Sequence, residues 1–191
     1  MRTFGKIFLV LLLLTGVTLP LDQWTKMSAR HNFLLHEDDT DTTIYQGRRE
    51  ELISGEYGPV WFTLHQTYVR NHGASWGFWA ALSPRIRIPF LISAGILIAV
   101  ALLMSAYQLI LAGQRWSALF VCGIVAGSIG NFLDRARLGY VVDFLTFKCR
   151  LMSQPFSLPS FNVADIVIVC SLFLLISTLF LARKKKPFSE N

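Results

Sequence analysis

The sequence predicts a mainly α-helical membrane protein, with four transmembrane helices and a small β-sheet between helices one and two. Three observations predict it. Only 16% of the 191 residues are charged, where a soluble domain carries about a quarter. Uncharged residues concentrate in four runs, 7–21, 88–114, 116–133 and 166–182. The one long polar stretch between them carries β-branched and aromatic residues rather than a helical apolar stripe.

Each element follows in order. A span needs roughly 20 mostly apolar residues, so the runs and their flanks predict spans at about 5–24, 88–112, 116–134 and 163–183. The opening "MRTFGKIFLVLLLLTGVTLPLDQ" has the basic start and short apolar core of a secretory signal. No small-x-small site precedes "LDQWTK", and three more spans follow. An uncleaved anchor is therefore expected. Residues 27–86 form the only sizeable soluble insertion in what is expected to be one membrane-embedded domain, 1–191. Within it, "HEDDTDTT" (36–43) predicts a solvated acidic loop tip, and "PVWFTLHQTYVRN" (59–71) predicts one or two strands of an amphipathic sheet.

Charge excludes several classes. The net charge of +6 needs no nucleic-acid partner, because basic residues at helix ends meet anionic membrane lipids. Cys122, Cys149 and Cys170 lack metal-ligand spacing, so no metal and no cofactor is expected. None of the four histidines falls in the last two spans, which excludes a Ser-His-Asp or Cys-His set there. "RKKK" (183–186) favours a cytoplasmic C-terminus. Arginines and lysines in the opposite loops leave the orientation open on charge alone.

The acids are informative. Eight of the twelve lie between Asp22 and Glu56, and from Tyr57 to Ser189 only Asp134, Asp143 and Asp165 remain. Carboxylates near membrane depth are rare because they cost roughly 2.5–3.5 kcal/mol at a helix centre. Asn131, Asp134 and Arg135 lie three and four apart and share a helical face. Asp143 sits among apolar residues in "YVVDFL", and Asn162 precedes Asp165 by three residues. Asn162 suits either a helix cap or a hydrogen bond to a carboxylate. Gly123 and Gly127 form a small-xxx-small pair suited to close helix packing. The chemistry open to such a set is a carboxylate pair, one ionised to take a proton from water and one protonated to polarise a carbonyl. The alternative class is a small non-enzymatic polytopic protein, a transporter subunit or scaffold. It requires polar residues stepping through the bilayer, which spans two and four lack at depth.

Four ordered blocks then carry a resemblance. "LDQWTK" (21–26), "VRNHGASWGF" (69–78), "GSIGNFLDRARLGYVVDF" (127–144) and "FNVADIVI" (161–168) resemble the signature blocks of the lipoprotein signal peptidases, or signal peptidase II. The resemblance implies a bacterial inner-membrane aspartic endopeptidase with both termini cytoplasmic and its active site facing the periplasm. Its substrates would be diacylglyceryl-modified prolipoproteins, cut before the lipidated cysteine, and globomycin would inhibit it. Asp143 and Asp165 match the catalytic pair. Asn131, Asp134 and Arg135 match supporting positions, and Asn162 matches the asparagine beside the second aspartate. Asp22 and Lys26 match a paired acid and base at the end of span one. Asn71 and Gly73 match the block that closes the site from a periplasmic β-sheet, the cradle. Three features depart from the pattern: Ala126-Gly127 stands for a glycine pair, "SWGF" (75–78) stands where Ala-Phe is commoner, and residues 28–58 are long and acidic.

Overall fold

The computed structural model describes residues 2–34, 44–58, 60–74, 79, 81–151 and 154–184. The expected acidic tip 36–43 and the "SWGF" stretch 75–78 lie outside them. Four helices form, α1 (Arg2–Leu34), α2 (Pro84–Leu111), α3 (Arg115–Leu138) and α4 (Val163–Lys184). All four are long and apolar enough to cross a membrane. The first helix continues ten residues past the expected end of its span, from residue 24 to Leu34, so the insertion departs later than the sequence suggested. The chain divides into two units, which we take separately: residues 1–20, 93–130 and 164–191, and residues 21–92 and 131–163.

The first unit is helical. Ala118, Val121, Cys122, Val125 and Ala126 are all buried, at the i, i+3, i+4, i+7, i+8 positions of one stripe on α3. Ile7 of α1 and Ala106 of α2 close over that stripe. The residues are small because helices in lipid gain little from hydrophobicity and must instead approach closely. At Gly127 an added Cβ would stand 2.9 Å from the Ala164 carbonyl oxygen and 2.9 Å from Ile168 Cγ1. At Gly123 it would meet the Ser171 hydroxyl, which can rotate away, and the Ser171 Cβ at 3.2 Å, which cannot. Large apolar side chains such as Leu97 and Phe173 point outward, as lipid-facing helices require.

The second unit is built on an antiparallel sheet of order β1-β2-β3-β4. Strands β1 (Ile44–Tyr57) and β2 (Val60–Asn71) come from the insertion after α1. Strands β3 (Val141–Leu151) and β4 (Gln154–Ser157) come from between α3 and α4. Periodicity missed this second pair, because "YVVDFL" has apolar residues on both sides of its aspartate. The reason is burial: Val141 through Phe144 are all enclosed, so no polar alternation marks the strand. The rest of the sheet is amphipathic. Ile53, Leu64 and Phe147 align on one face, and Trp61 and Arg150 align on the other.

Two local features aim the sheet. Gly139 ends α3 in the left-handed region, φ 79°, with its N–H on the Arg135 carbonyl at 3.1 Å. This glycine cap turns the chain from helix into β3 within two residues. A bulge then falls between Gln66 and Val69 on β2. Beyond it, the Phe144 and Leu145 N–H groups donate to the Phe161 carbonyl at 3.0 and 2.9 Å, and Phe161 N–H returns to Leu145 at 2.8 Å. That bridge seats Asn162 beside Asp143.

Gly139→Ala is expected to cost roughly 1–2 kcal/mol from its left-handed backbone alone, read as a lower thermal midpoint of the purified protein. Gly127→Val should cost about 1–3 kcal/mol through overpacking, whereas Gly123→Ala should lower the midpoint less, because its nearest obstacle is a hydroxyl that can rotate.

Candidate active site

The candidate site lies in the second unit, and its foundation is an ammonium group. Lys26 is 3% exposed. Its Nζ contacts Asp22 Oδ2 at 2.8 Å, Asp134 Oδ2 at 2.9 Å and Asn131 Oδ1 at 3.0 Å. An ammonium has three N–H donors, and each has an acceptor here. Asp22 and Lys26 lie one turn apart on α1, and Asn131 and Asp134 one turn apart on α3, so helical spacing alone presents each pair on one face. Gln23 reinforces the join, its Nε2 donating to Asp134 Oδ1 at 2.9 Å and to Asp22 Oδ2 at 3.3 Å. Asp134 is therefore not the polar surface residue of a helix end, for only 3% of it is exposed.

From this base, hydrogen bonds lead to Asp143. Asp134 Oδ2 accepts the Val142 N–H at 3.2 Å, which fixes the start of β3. Asn131 Oδ1, already bonded to Lys26, also accepts Asn162 Nδ2 at 3.0 Å. The same Asn162 amide nitrogen donates to the Val142 carbonyl at 3.3 Å and to Asp143 Oδ1 at 2.7 Å. Asp143 is 2% exposed. Its second oxygen, Oδ2, accepts Asn71 Nδ2 at 3.0 Å. Two amide donors from opposite sides thus hold one buried carboxyl group, as burial of a polar group requires.

The turn after β2 is held as firmly. Asn71 Oδ1 accepts the Gly73 N–H at 3.0 Å, an Asx-type turn. The Gly73 carbonyl accepts Arg135 Nη2 at 2.9 Å, while Arg135 Nη1 donates to the Asn131 carbonyl at 3.2 Å. Arg135 thus braces the turn from α3.

Nine of the ten residues singled out from sequence therefore form one connected network: Asp22, Lys26, Asn71, Gly73, Asn131, Asp134, Arg135, Asp143 and Asn162. Asp165 is the tenth. It lies in the first turn of α4, partly buried, in the first unit. Sequence reasoning missed three members around the network. Gln23 sits inside the first quoted block, one residue from Asp22. His72 sits between two residues that were singled out. Arg87 is 6% exposed, and its only signal was a cation inside the apolar start of α2, "PRIRIPF". Among the described residues no cluster of His, Cys, Asp and Glu has the arrangement of a metal site.

Comparison with known proteins follows the same lines. The family described as Signal peptidase (SPase) II matches residues 14–181. A lipoprotein signal peptidase of Anaeromyxobacter sp. (strain Fw109-5) is 35% identical over 92% of this chain and 86% of its own. One from Enterococcus faecalis is 28% identical over 97% of each. A bacterial membrane enzyme solved by the in meso method is 28% identical, with a TM-score of 0.55 and 92% of each chain covered. A second such structure, at 23% identity and a TM-score of 0.58, shares the fold over 98% of this chain and 94% of its own. The match spans all four helices and the sheet, and the chain belongs to the signal peptidase II family.

Proposed function

We propose that this chain is an intramembrane aspartic endopeptidase in which Asp143 and Asp165 activate water. As a member of its family it is a protease of lipoprotein signal peptides, and its four apolar helices fit a bacterial inner membrane. The substrate in our reading is a diacylglyceryl-modified prolipoprotein, cut just before the lipidated cysteine. The single observation carrying the aspartic mechanism is the clamp on Asp143. A carboxyl group 2% exposed, oriented from both sides by Asn71 and Asn162, is prepared for a directed role. Asn162 supplies the second carboxylate's link: Asp165 follows it by three residues, at most ~10 Å of chain even fully extended.

Chemistry on such a pair needs no other group. One carboxylate takes a proton from water as the oxygen attacks the scissile carbonyl carbon. The other, protonated, donates to the carbonyl oxygen as it becomes tetrahedral. Collapse then breaks the C–N bond, with a proton passing to the leaving amine. Close carboxylates cannot both ionise cheaply, so one proton is shared between them and the pair titrates jointly. The substrate's acyl chains have the outward apolar helix surfaces to lie against, and each CH₂ they bury contributes roughly 0.8 kcal/mol. In this reading both termini are cytoplasmic, the site faces the periplasm and globomycin competes with the lipidated substrate.

The network's other members support Asp143 rather than react. Lys26 joins α1 to α3, and Asp134 carries that rigidity into β3 through Val142.

Asp143→Asn and Asp165→Asn are each expected to abolish cleavage of a diacylglyceryl prolipoprotein by the purified, inserted protein; near-parental turnover in either removes the pair. Lys26→Met strands two buried carboxylates and should cost about 3–5 kcal/mol, measured by thermal unfolding, with activity lost alongside.

A further inference from the structure

We infer that His72 and Arg87 are positioning residues for Asp143, joined by a hydrogen bond that only an uncharged imidazole can make. This rests on the reading of Asp143 as catalytic. Arg87 Nη2 lies 3.2 Å from His72 Nδ1, and Arg87 Nη1 donates to the Leu82 carbonyl at 3.2 Å. A guanidinium has donors and no acceptor. Nδ1 must therefore be the acceptor, which puts the ring proton on Nε2.

The place of this bond in the chain gives it consequence. His72 lies between Asn71, which holds Asp143 Oδ2, and Gly73, whose carbonyl takes Arg135. Arg135 secures the turn by its backbone, and Arg87 secures it by the intervening side chain. The ring is further packed against Tyr140, centroids 5.4 Å apart. Tyr140 lies beneath the Arg70 guanidinium at 5.5 Å, and its hydroxyl is 3.5 Å from that of Tyr68. Burial first, and then the Tyr140 hydroxyl, pushes the Tyr68 phenol up to about 12, so it stays neutral throughout the working range.

Among the described residues, the charged groups that these contacts bring to the turn include Arg87 from α2 on the ring itself, Arg135 from α3 on the Gly73 carbonyl and Arg70 from β2 across the Tyr140 ring, with the Asp143 carboxyl one amide away through Asn71. Protonating the ring turns Nδ1 from acceptor to donor. It sets a second cation against the Arg87 guanidinium, and the bond breaks. The turn then holds Asn71 less firmly, and Asp143 loses one of its two amide donors.

The test is steady-state cleavage of a diacylglyceryl prolipoprotein by the full chain across about pH 5 to 8, bracketing the free imidazole value near 6.5. Parent kcat should fall on the acidic side of that value. His72→Phe and Arg87→Gln should lower kcat roughly 10- to 100-fold at neutral pH with little change in KM, as expected for a misplaced reacting group. Asn places Oδ1 where His places Nδ1, without titrating. His72→Asn should therefore recover most of the rate lost in His72→Phe and lack the parent's acidic fall. An acidic limb in His72→Asn matching the parent's, or parental kcat in Arg87→Gln, overturns the inference. Asp143→Asn run in parallel separates the two claims. Activity there removes the catalytic reading itself, whereas its inactivity beside an unaltered His72→Asn profile removes only the positioning role.

Discussion

One buried ammonium group underlies the site. Lys26 Nζ binds Asp22, Asp134 and Asn131 at 2.8 to 3.0 Å, and every later contact in the network depends on where those groups sit. Taking three charges out of water is unfavourable unless each finds its partners. Here the three ammonium donors are all used, and Gln23 satisfies further carboxylate lone pairs. Such a cluster contributes little net stability against an apolar replacement of equal volume. What it contributes is register, because α1 and α3 can slide or rotate only by exposing a carboxylate.

That register is passed to the sheet by short, directional bonds. Asp134 receives the Val142 N–H, and Gly139 makes the turn that lets β3 begin close to it. Asn131 and Asn162 then place an amide against Asp143, and Asn71 places another from β2. Asp143 thus has its carboxyl held from β2 by Asn71 and from the segment entering α4 by Asn162, which Asn131 of α3 in turn holds. An aspartate fixed in this way loses little entropy on reaching a transition state. That is the physical case for a positioned group rather than a merely buried one.

Much of this was legible in the chain. Four uncharged runs of spanning length announced the helices, since lipid tolerates little else. The pairs Asp22/Lys26 and Asn131/Asp134 were visible because helical spacing converts a four- or three-residue interval into a shared face. The scarcity of acids after Tyr57 drew notice to Asp143, Asp134 and Asp165. Other parts were hidden for stated reasons. Strand β3 is buried on both faces around Asp143, so it shows no alternation, and β4 has only four residues. The bulge between Gln66 and Val69 has no signature of its own, yet it governs how β3 is left to pair with Phe161. Arg87 reads as a helix-end cation, and only tertiary packing turns it inward. The join between Lys26 and α3 spans more than 100 positions, a distance over which local pattern carries no information.

The central claim is that Asp143 and Asp165 share one proton as a functional unit. The most direct measurement is the titration of the Asp165 carboxyl carbon by NMR, using protein labelled at its aspartates. It is recorded for the parent and for Asp143→Asn, in which the partner no longer ionises. Coupling predicts that the Asp165 transition moves by about one pH unit or more when its partner is neutralised. A transition at the same pH in both proteins would contradict the shared-proton mechanism.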